Sequence, residues 1–351
     1  MPPEAQPDTD SRRVSRLVAG RVDPLAVLTA EIGPAFAEYR RRWEAARAFQ
    51  EQPAFPLHLD FEMKFQCNLR CPMCLMSLPP DKRRLYGRQD ESLHPDTVLE
   101  IVAEGVARGQ RALGFGGLWE PLLAPELPEI VAASRAMGLV DVMFNTNGLL
   151  LTAKTGRALI KAGLTRLMIS LDAATAATYN QMRPGSDFET VTANIENFLA
   201  LRQRLGRGLP LVRLSFCRTA LNEDELEPFL ERWQGRVDFF SIQAYGRYPV
   251  ATPPGFARGG PPPPLPGRCA QPHKRLLIRH QGQVLPCCDV SGLPLSLGSI
   301  YEDSLADIWR GAKLVALRQA LAEGGFQDPA GPCRACQQKF QSQGQWGMRH
   351  E

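Results

Sequence analysis

PLHLDFEMKFQCNLRCPMCLM, residues 56–76, joins two unlike halves. Its first ten residues form a dense apolar and aromatic run of strand character. The remainder carries Cys67, Cys71 and Cys74, spaced C-x3-C-x2-C within eight residues. A strand followed at once by three thiols predicts chemistry in the loop at that strand's carboxyl end. Five more runs of strand character follow: RALGFGG (111–117), VDVMFNTNG (140–148), TRLMISLD (165–172), LVRLSFCRT (211–219) and VDFFSIQAYG (237–246). Helical patterns separate them, among them HPDTVLEIVAEGVARG, PELPEIVAASRAMG and FETVTANIENFLALRQRLG, and several end on glycine just ahead of the next strand, where a left-handed cap residue is expected. Continuous apolar strands alternating with helices predict a parallel sheet covered by helices. Six such units over residues 54–246 are too few for a closed eight-fold barrel and predict an α/β fold built on a partial (β/α)6 barrel. An open doubly wound sheet is the alternative. In both, ligands collect at the carboxyl ends of the strands.

The flanks read differently. Residues 1–53 form an N-terminal extension with one helical stretch, PAFAEYRRRWEAARAFQE (34–51). RYPVATPPGFARGGPPPPLPGR, residues 247–268, is too rich in proline and glycine for a regular element and reads as a linker. Beyond it, residues 269–340 carry a hairpin pattern turning at Gln281–Gly282, a helix, SLADIWRGAKLVALRQALAEG, and the knuckle GPCRACQQ; residues 341–351 are a tail. A segment this short needs a metal to organise it.

Composition is that of a globular protein, with 351 residues, 44% hydrophobic and 22% charged. A net charge of +4 with scattered Lys and Arg indicates no nucleic-acid partner. The first residues, MPPEAQPDTDSRRVSR, lack the apolar run of a secretory signal, and no stretch has membrane-spanning length, so a cytoplasmic protein is expected. In a reducing compartment, nine cysteines point to metal rather than disulfides.

Three protein thiolates on a four-iron cubane leave one iron open to a chelating ligand, whereas structural zinc closes with four protein ligands and would need a remote fourth such as His94. The C-x3-C-x2-C loop after the first strand of a β/α repeat resembles that of the radical S-adenosylmethionine (SAM) enzymes, over about residues 56–337. The resemblance implies that Cys67, Cys71 and Cys74 hold a 4Fe-4S cluster, that S-adenosyl-L-methionine chelates the fourth iron, and that reductive cleavage yields a 5′-deoxyadenosyl radical. GLWEP, Gly117 to Pro121, is similar to the family's G-x-G-E-P element for the methionine amino group, with Glu120 in place and Trp119 standing where a glycine is usual. The resemblance further implies cofactor contacts from Gly117, Asn147, Ser170 and Asp172 at the strand ends, and from Met73 in place of an aromatic residue before the third cysteine. Ordinary turn and capping roles are the alternative for Asn145, Asn147, Ser170 and Asp172.

The later cysteines have a pattern of their own. Cys269 and Cys287 frame C-x12-G-x4-C, and Cys333 and Cys336 form C-x2-C. This resembles the opening of the SPASM auxiliary-cluster domain, and with no cysteine after Cys336 it resembles the shortened "twitch" form with one auxiliary 4Fe-4S cluster. Four thiolates close every corner, which suits electron transfer or structure; tetrahedral zinc is the alternative. Cys288 reads as a spare ligand facing the other way, and Cys217 as a small core residue. The intervals between these ligands are similar to those of the aminocyclitol-oxidising members of the family. They imply hydrogen abstraction from a sugar, nucleotide sugar or aminocyclitol, oxidation of its alcohol, and an electron passed to the auxiliary cluster. Arg218, Tyr245 and Arg247, near the last strand ends, are the candidates for assisting loss of the hydroxyl proton. A flavodoxin or ferredoxin is the reductant that the resemblance implies. Radical modification of a peptide side chain, a lyase or epimerase reaction, and a non-enzymatic iron–sulfur or zinc protein are the competing readings.

Overall fold

The computed structural model describes residues 15–19, 22–245, 256, 268–287, 290–324, 331–333 and 336. An edge strand, β1 (Ser15–Ala19), precedes the six expected ones: β2 (His58–Glu62), β3 (Ala112–Phe115), β4 (Asp141–Thr146), β5 (Arg166–Ser170), β6 (Leu211–Arg218) and β7 (Phe239–Ala244). β2 to β7 pair in parallel, each with its successor. The spatial order β7-β6-β5-β4-β3-β2 therefore runs without the reversal that defines a doubly wound sheet. Single-direction winding makes this a partial barrel, and the alternative falls.

Helices form where capping and periodicity place them. They are α1 (Pro24–Ile32), α2 (Pro34–Arg47), α3 (Pro95–Ala107), α4 (Leu127–Ala136), α5 (Ala153–Lys161), α6 (Ala176–Met182), α7 (Phe188–Arg204) and α8 (Leu226–Trp233). Thr152, Thr175 and Asp187 cap α5, α6 and α7, each side chain accepting from a backbone N–H in the first turn. The outward strand residues Leu59, Leu113, Val142, Phe144, Leu167 and Ile169 meet the helices in one buried core. Period-two alternation turns Asn145 and Arg213 to the concave side, where Arg213 Nη2 donates to Asn145 Oδ1 at 3.1 Å across β5.

The N-terminal extension closes the opposite end of the barrel. Leu28, Phe36, Tyr39, Trp43 and Ala46 of α1 and α2 form a second core with Leu57, Ala112, Val140, Leu211 and Phe239, at or just before the amino ends of β2, β3, β4, β6 and β7. The helix expected over 34–51 is α2. β1, which pairs antiparallel with β7, was not expected, because SRLVA is too short and too polar in its surroundings to signal a strand.

The cysteine-rich segment does not stand apart. β8 (Arg275–Arg279) pairs in parallel with β2, β9 (Gln283–Leu285) returns antiparallel to it, and β10 (Gly298–Ser299) completes a ten-stranded sheet. The hairpin turns at Gln281–Gly282 as expected; Gly282 sits at φ +79°, where an added Cβ would meet the Tyr301 ring at 2.4 Å. Leu276, Ile278 and Val284, with Leu305, Ile308 and Trp309 of α9 (Leu305–Arg310) and Leu314 of α10 (Ala312–Ala322), join the barrel core. A segment too short to bury its own apolar surface thus borrows a sheet edge. Most of the 247–268 stretch, Cys288 and the 341–351 tail lie outside the described residues.

Candidate functional site

The loop after β2 wraps the three early cysteines against a small apolar cluster of Phe65, Leu75, Met76, Leu78 and Leu118. Its backbone turns on itself, Cys74 N donating to Cys71 O at 2.8 Å. Two sulfurs accept backbone donors: Leu69 N to Cys67 Sγ at 3.4 Å and Met76 N to Cys74 Sγ at 3.5 Å. Burial pushes all three thiols up, Cys74 to about 11, and negative charge on Cys71 adds to the rise at Cys67 and Cys74. The thiols stay protonated until cations replace their protons, the behaviour of a closely grouped ligand set.

Among the described residues no three His, Cys, Asp or Glu side chains converge on a point that could hold a single ion. A lone zinc needs every sulfur about 2.3 Å from one centre, while a cubane takes each thiolate on a different iron. His94, the remote ligand of the zinc reading, is exposed and accepts from Asp96 N at the start of α3.

The loop after β3 closes over this group. Glu120 N donates to Gln66 O at 2.9 Å, beside Cys67. The Glu120 carboxylate is buried; it accepts from Thr146 Oγ1 at 2.6 Å, Asn147 N at 2.8 Å and Leu122 N at 3.0 Å. Burial raises its pKa against the pull of those donors. Glu120 thus ties the strand ends together besides capping the turn that begins at Pro121. Trp119, in its unusual place, is turned into the core: its Nε1 donates to Gly116 O at 3.0 Å and its ring meets Phe115 edge-on. Gly117 holds φ +108°, with space for no Cβ beside Glu62 Oε2.

After β4, Asn147 Oδ1 accepts from Leu149 N at 3.0 Å and its Nδ2 donates to Asn68 Oδ1 at 2.8 Å. β5 ends on half-buried Ser170, and just beyond it Asp172 has φ +62°, a strained setting for a non-glycine residue. Asp172 Oδ1 accepts from Cys217 N at 2.8 Å, its carbonyl accepts from Asn222 Nδ2 at 2.7 Å, and Oδ2 pairs with buried Arg183. Arg183 also reaches Cys71, Nη1 to Sγ 3.8 Å. Against burial, which pulls it down, the Asp172 carboxylate raises the Arg183 pKa, as would negative charge on Cys71. Arg183 escaped sequence reasoning, since nothing in QMRPGS separates it from a surface arginine.

Met73 packs with Met182, Tyr245, Phe256 and Cys217 in an apolar wall. Cys217 is accordingly half-exposed at the site rather than the core residue expected of it. Tyr245 is buried, its N–H donating to Arg218 O at 3.2 Å, so these two candidates stand side by side at the ends of β6 and β7. Arg247 lies outside the described residues. Of the late cysteines, Cys269 and Cys336 are buried and Cys287 and Cys333 half-buried. Cys269 N donates to Leu321 O at 3.1 Å, which holds that residue to the end of α10.

Comparison with known proteins agrees with this geometry. Residues 62–214 match the radical SAM superfamily, and residues 269–337 match the SPASM iron–sulfur cluster-binding domain. GTP 3′,8-cyclase of Stenotrophomonas maltophilia is 33% identical over 197 residues, covering 54% of each chain. That of Limosilactobacillus fermentum is 31% identical over 167 residues, covering 47% of each. The chain thus spans about half the length of the curated relatives it matches. The structure of Streptococcus suis SuiB bound to S-adenosylmethionine superimposes with a TM-score of 0.61 at 14% identity, over 76% of this chain and 68% of that one, a likeness of fold. No helix among the described residues is long and apolar enough to cross a membrane.

Proposed function

This chain carries a radical SAM domain and a SPASM iron–sulfur domain, and we propose that it is a radical enzyme acting on a small hydroxylated molecule. The substrate class is a sugar, nucleotide sugar or aminocyclitol. Cys67, Cys71 and Cys74 hold the radical-site 4Fe-4S cluster, and Cys269, Cys287, Cys333 and Cys336 hold the auxiliary one. Glu120, Asn147, Ser170, Asp172 and Gly117 frame S-adenosylmethionine, with Met73 on the apolar side. When bound, the cluster and S-adenosylmethionine together supply a 5′-deoxyadenosyl radical.

The observation that carries the substrate class is the polar concave face. Asn145 and Arg213 are bonded to each other there, and Gln243 Nε2 donates to Ser241 Oγ at 3.2 Å beside buried Ser215. Hydroxyl and anionic groups find partners on such a face, whereas an apolar substrate would strand them. The relatives' name, with its nucleotide substrate, supports a small polar molecule in the same way. Arg218 and Tyr245 flank the face and, with Arg247, are the candidates for drawing off a hydroxyl proton. Oxidation would then take one hydrogen atom from the carbinol carbon, the proton from its oxygen, and one electron to the auxiliary cluster. A flavodoxin or ferredoxin is the class of reductant. A second reading, radical ring closure on a nucleotide, is favoured by the identity to the cyclases.

The test is 5′-deoxyadenosine formation by anaerobically reconstituted protein with dithionite and S-adenosylmethionine. Small-molecule filtrate of a host extract is compared with the retained macromolecules. Stimulation by the filtrate, with a ketone product, supports the oxidation. A cyclised product transfers the net reaction to the second reading, and stimulation by the macromolecules alone overturns the small-molecule class.

A further inference from the structure

Glu62, the last residue of β2, takes donors from both domains. Its Oε2 accepts Leu118 N at 2.7 Å, in the loop after β3. Its Oε1 accepts Arg279 Nε at 3.0 Å and His280 Nδ1 at 3.1 Å, both at the end of β8 in the cysteine-rich segment. Glu62, Arg279 and His280 are 2%, 4% and 1% exposed. Arg279 continues to the carbonyl of Tyr86, and the His280 ring stacks on Phe65 at 5.5 Å, two residues before Cys67. Packing leaves no slack, since an added Cβ at Gly87 would lie 2.7 Å from both His280 and Phe65, and one at Gly117 2.4 Å from Glu62 Oε2.

We propose that Arg279 and His280 are positioning residues for the S-adenosylmethionine loop, so that the auxiliary domain sets the shape of the radical site through Glu62. A carboxylate buried this deeply needs its cationic and hydrogen-bonding partners; without them it turns or draws in water and releases the Leu118 amide. That amide sits between Gly117, at φ +108°, and Trp119, where the usual glycine is replaced. Arg279 is the bidentate fork that spans Glu62 and the Tyr86 carbonyl at once, which a lysine ammonium reproduces only in charge. His280 lies seven positions before Cys287, so order in the auxiliary segment is transmitted along one hairpin.

The inference rests on the radical-enzyme reading for its consequence but not for its first measurement. Hydrogen exchange of the Leu118 amide is followed in the full reconstituted protein without S-adenosylmethionine, as wild type and as Arg279→Met, Arg279→Lys and His280→Leu. Loss of a charge-assisted bond predicts Leu118 exchange faster by roughly tenfold to a hundredfold in Arg279→Met, with Arg279→Lys in between. His280→Leu is expected to shift it by less than Arg279→Met. The KM for S-adenosylmethionine is expected to rise about tenfold or more while both sites keep their iron. If Arg279→Met does not fold, Arg279→Lys and His280→Leu carry the measurement. Unchanged Leu118 exchange in a folded variant overturns the relay, whatever the activity. Faster exchange in a protein that never forms 5′-deoxyadenosine would keep the relay and sink the radical-enzyme reading instead.

Discussion

Asn147 Nδ2 donates to Asn68 Oδ1 at 2.8 Å, joining residues 79 positions apart. The bond closes a ring: Asn147 N donates to Glu120, Glu120 N donates to Gln66 O, and Gln66 and Asn68 flank Cys67. The ends of β3 and β4 and the cysteine loop after β2 are thereby tied together.

Asn147→Ala removes one bond of that ring and a second beside it, leaving the Asn68 side-chain carbonyl and the Leu149 N–H without their partner. The expected cost is about 1–3 kcal/mol, read as roughly tenfold weaker S-adenosylmethionine binding at unchanged auxiliary iron. Equilibrium binding together with iron analysis checks it; wild-type affinity would place Asn147 outside the site.

Replacing Cys67, Cys71 and Cys74 together by alanine should remove the radical-site cluster and all 5′-deoxyadenosine formation. The auxiliary cysteines lie on other elements, so about four irons per chain should remain there. Mössbauer spectra and iron counts distinguish this from general loss of cluster. Retained cleavage of S-adenosylmethionine would show that the radical site lies elsewhere.

Much of this was legible. Six apolar runs became six parallel strands because strands buried on both sides need nearly continuous hydrophobicity, which is hard to mistake. The places of the cysteine loop, Glu120, Asn147 and Asp172 were legible because each falls at a strand's carboxyl end. Glu62, Arg183, Arg279 and His280 were not. Their roles come from pairings across the sheet or between distant turns, and an ion pair between residues 62 and 279 leaves no periodicity to read. Nor was the merging of the cysteine-rich segment with the barrel sheet visible, since a hairpin pattern fixes its own register but not its neighbour. The closing of the barrel floor by α1 and α2 was hidden likewise: an amphipathic helix shows which face is apolar, not what covers it.

Asp172 and Arg183 form a buried pair whose partners include Cys71 and the β6 backbone. Asp172→Ala should destabilise by about 3–5 kcal/mol, because it strands a buried guanidinium and keeps an unfavourable φ of +62° without the carboxylate that holds it. Adding Arg183→Met should recover part of that loss, which a double-mutant cycle in chemical unfolding will read. Strict additivity of the two losses would show that the pair is not coupled. Activity is a separate readout: both single variants should lose it, since each disturbs the wall beside Cys71.

His273 supplies a pH signature away from the clusters. Its Nδ1 meets Gln52 Oε1 at 2.9 Å and Phe49 abuts the ring edge-on, tying the cysteine-rich segment to the end of the N-terminal extension. Burial, then the positive charges of Arg318, Arg268 and Lys274, bring its pKa from the ordinary 6.5 down to about 4. The folded form therefore favours neutral His273, and the unfolded chain takes up the proton first. Stability from this group is whole above pH 6.5, declines as pH falls, and is fully lost below about 4. By pH 5 the linkage amounts to about 2 kcal/mol. His273→Asn keeps a donor toward Gln52 and abolishes the titration. Urea unfolding of the two proteins at pH 7 and pH 5 should show wild type losing about 2 kcal/mol more than the variant, acid damage common to both cancelling in the difference. Parallel losses in the two proteins would mean that His273 titrates normally and that its burial costs the acid form nothing.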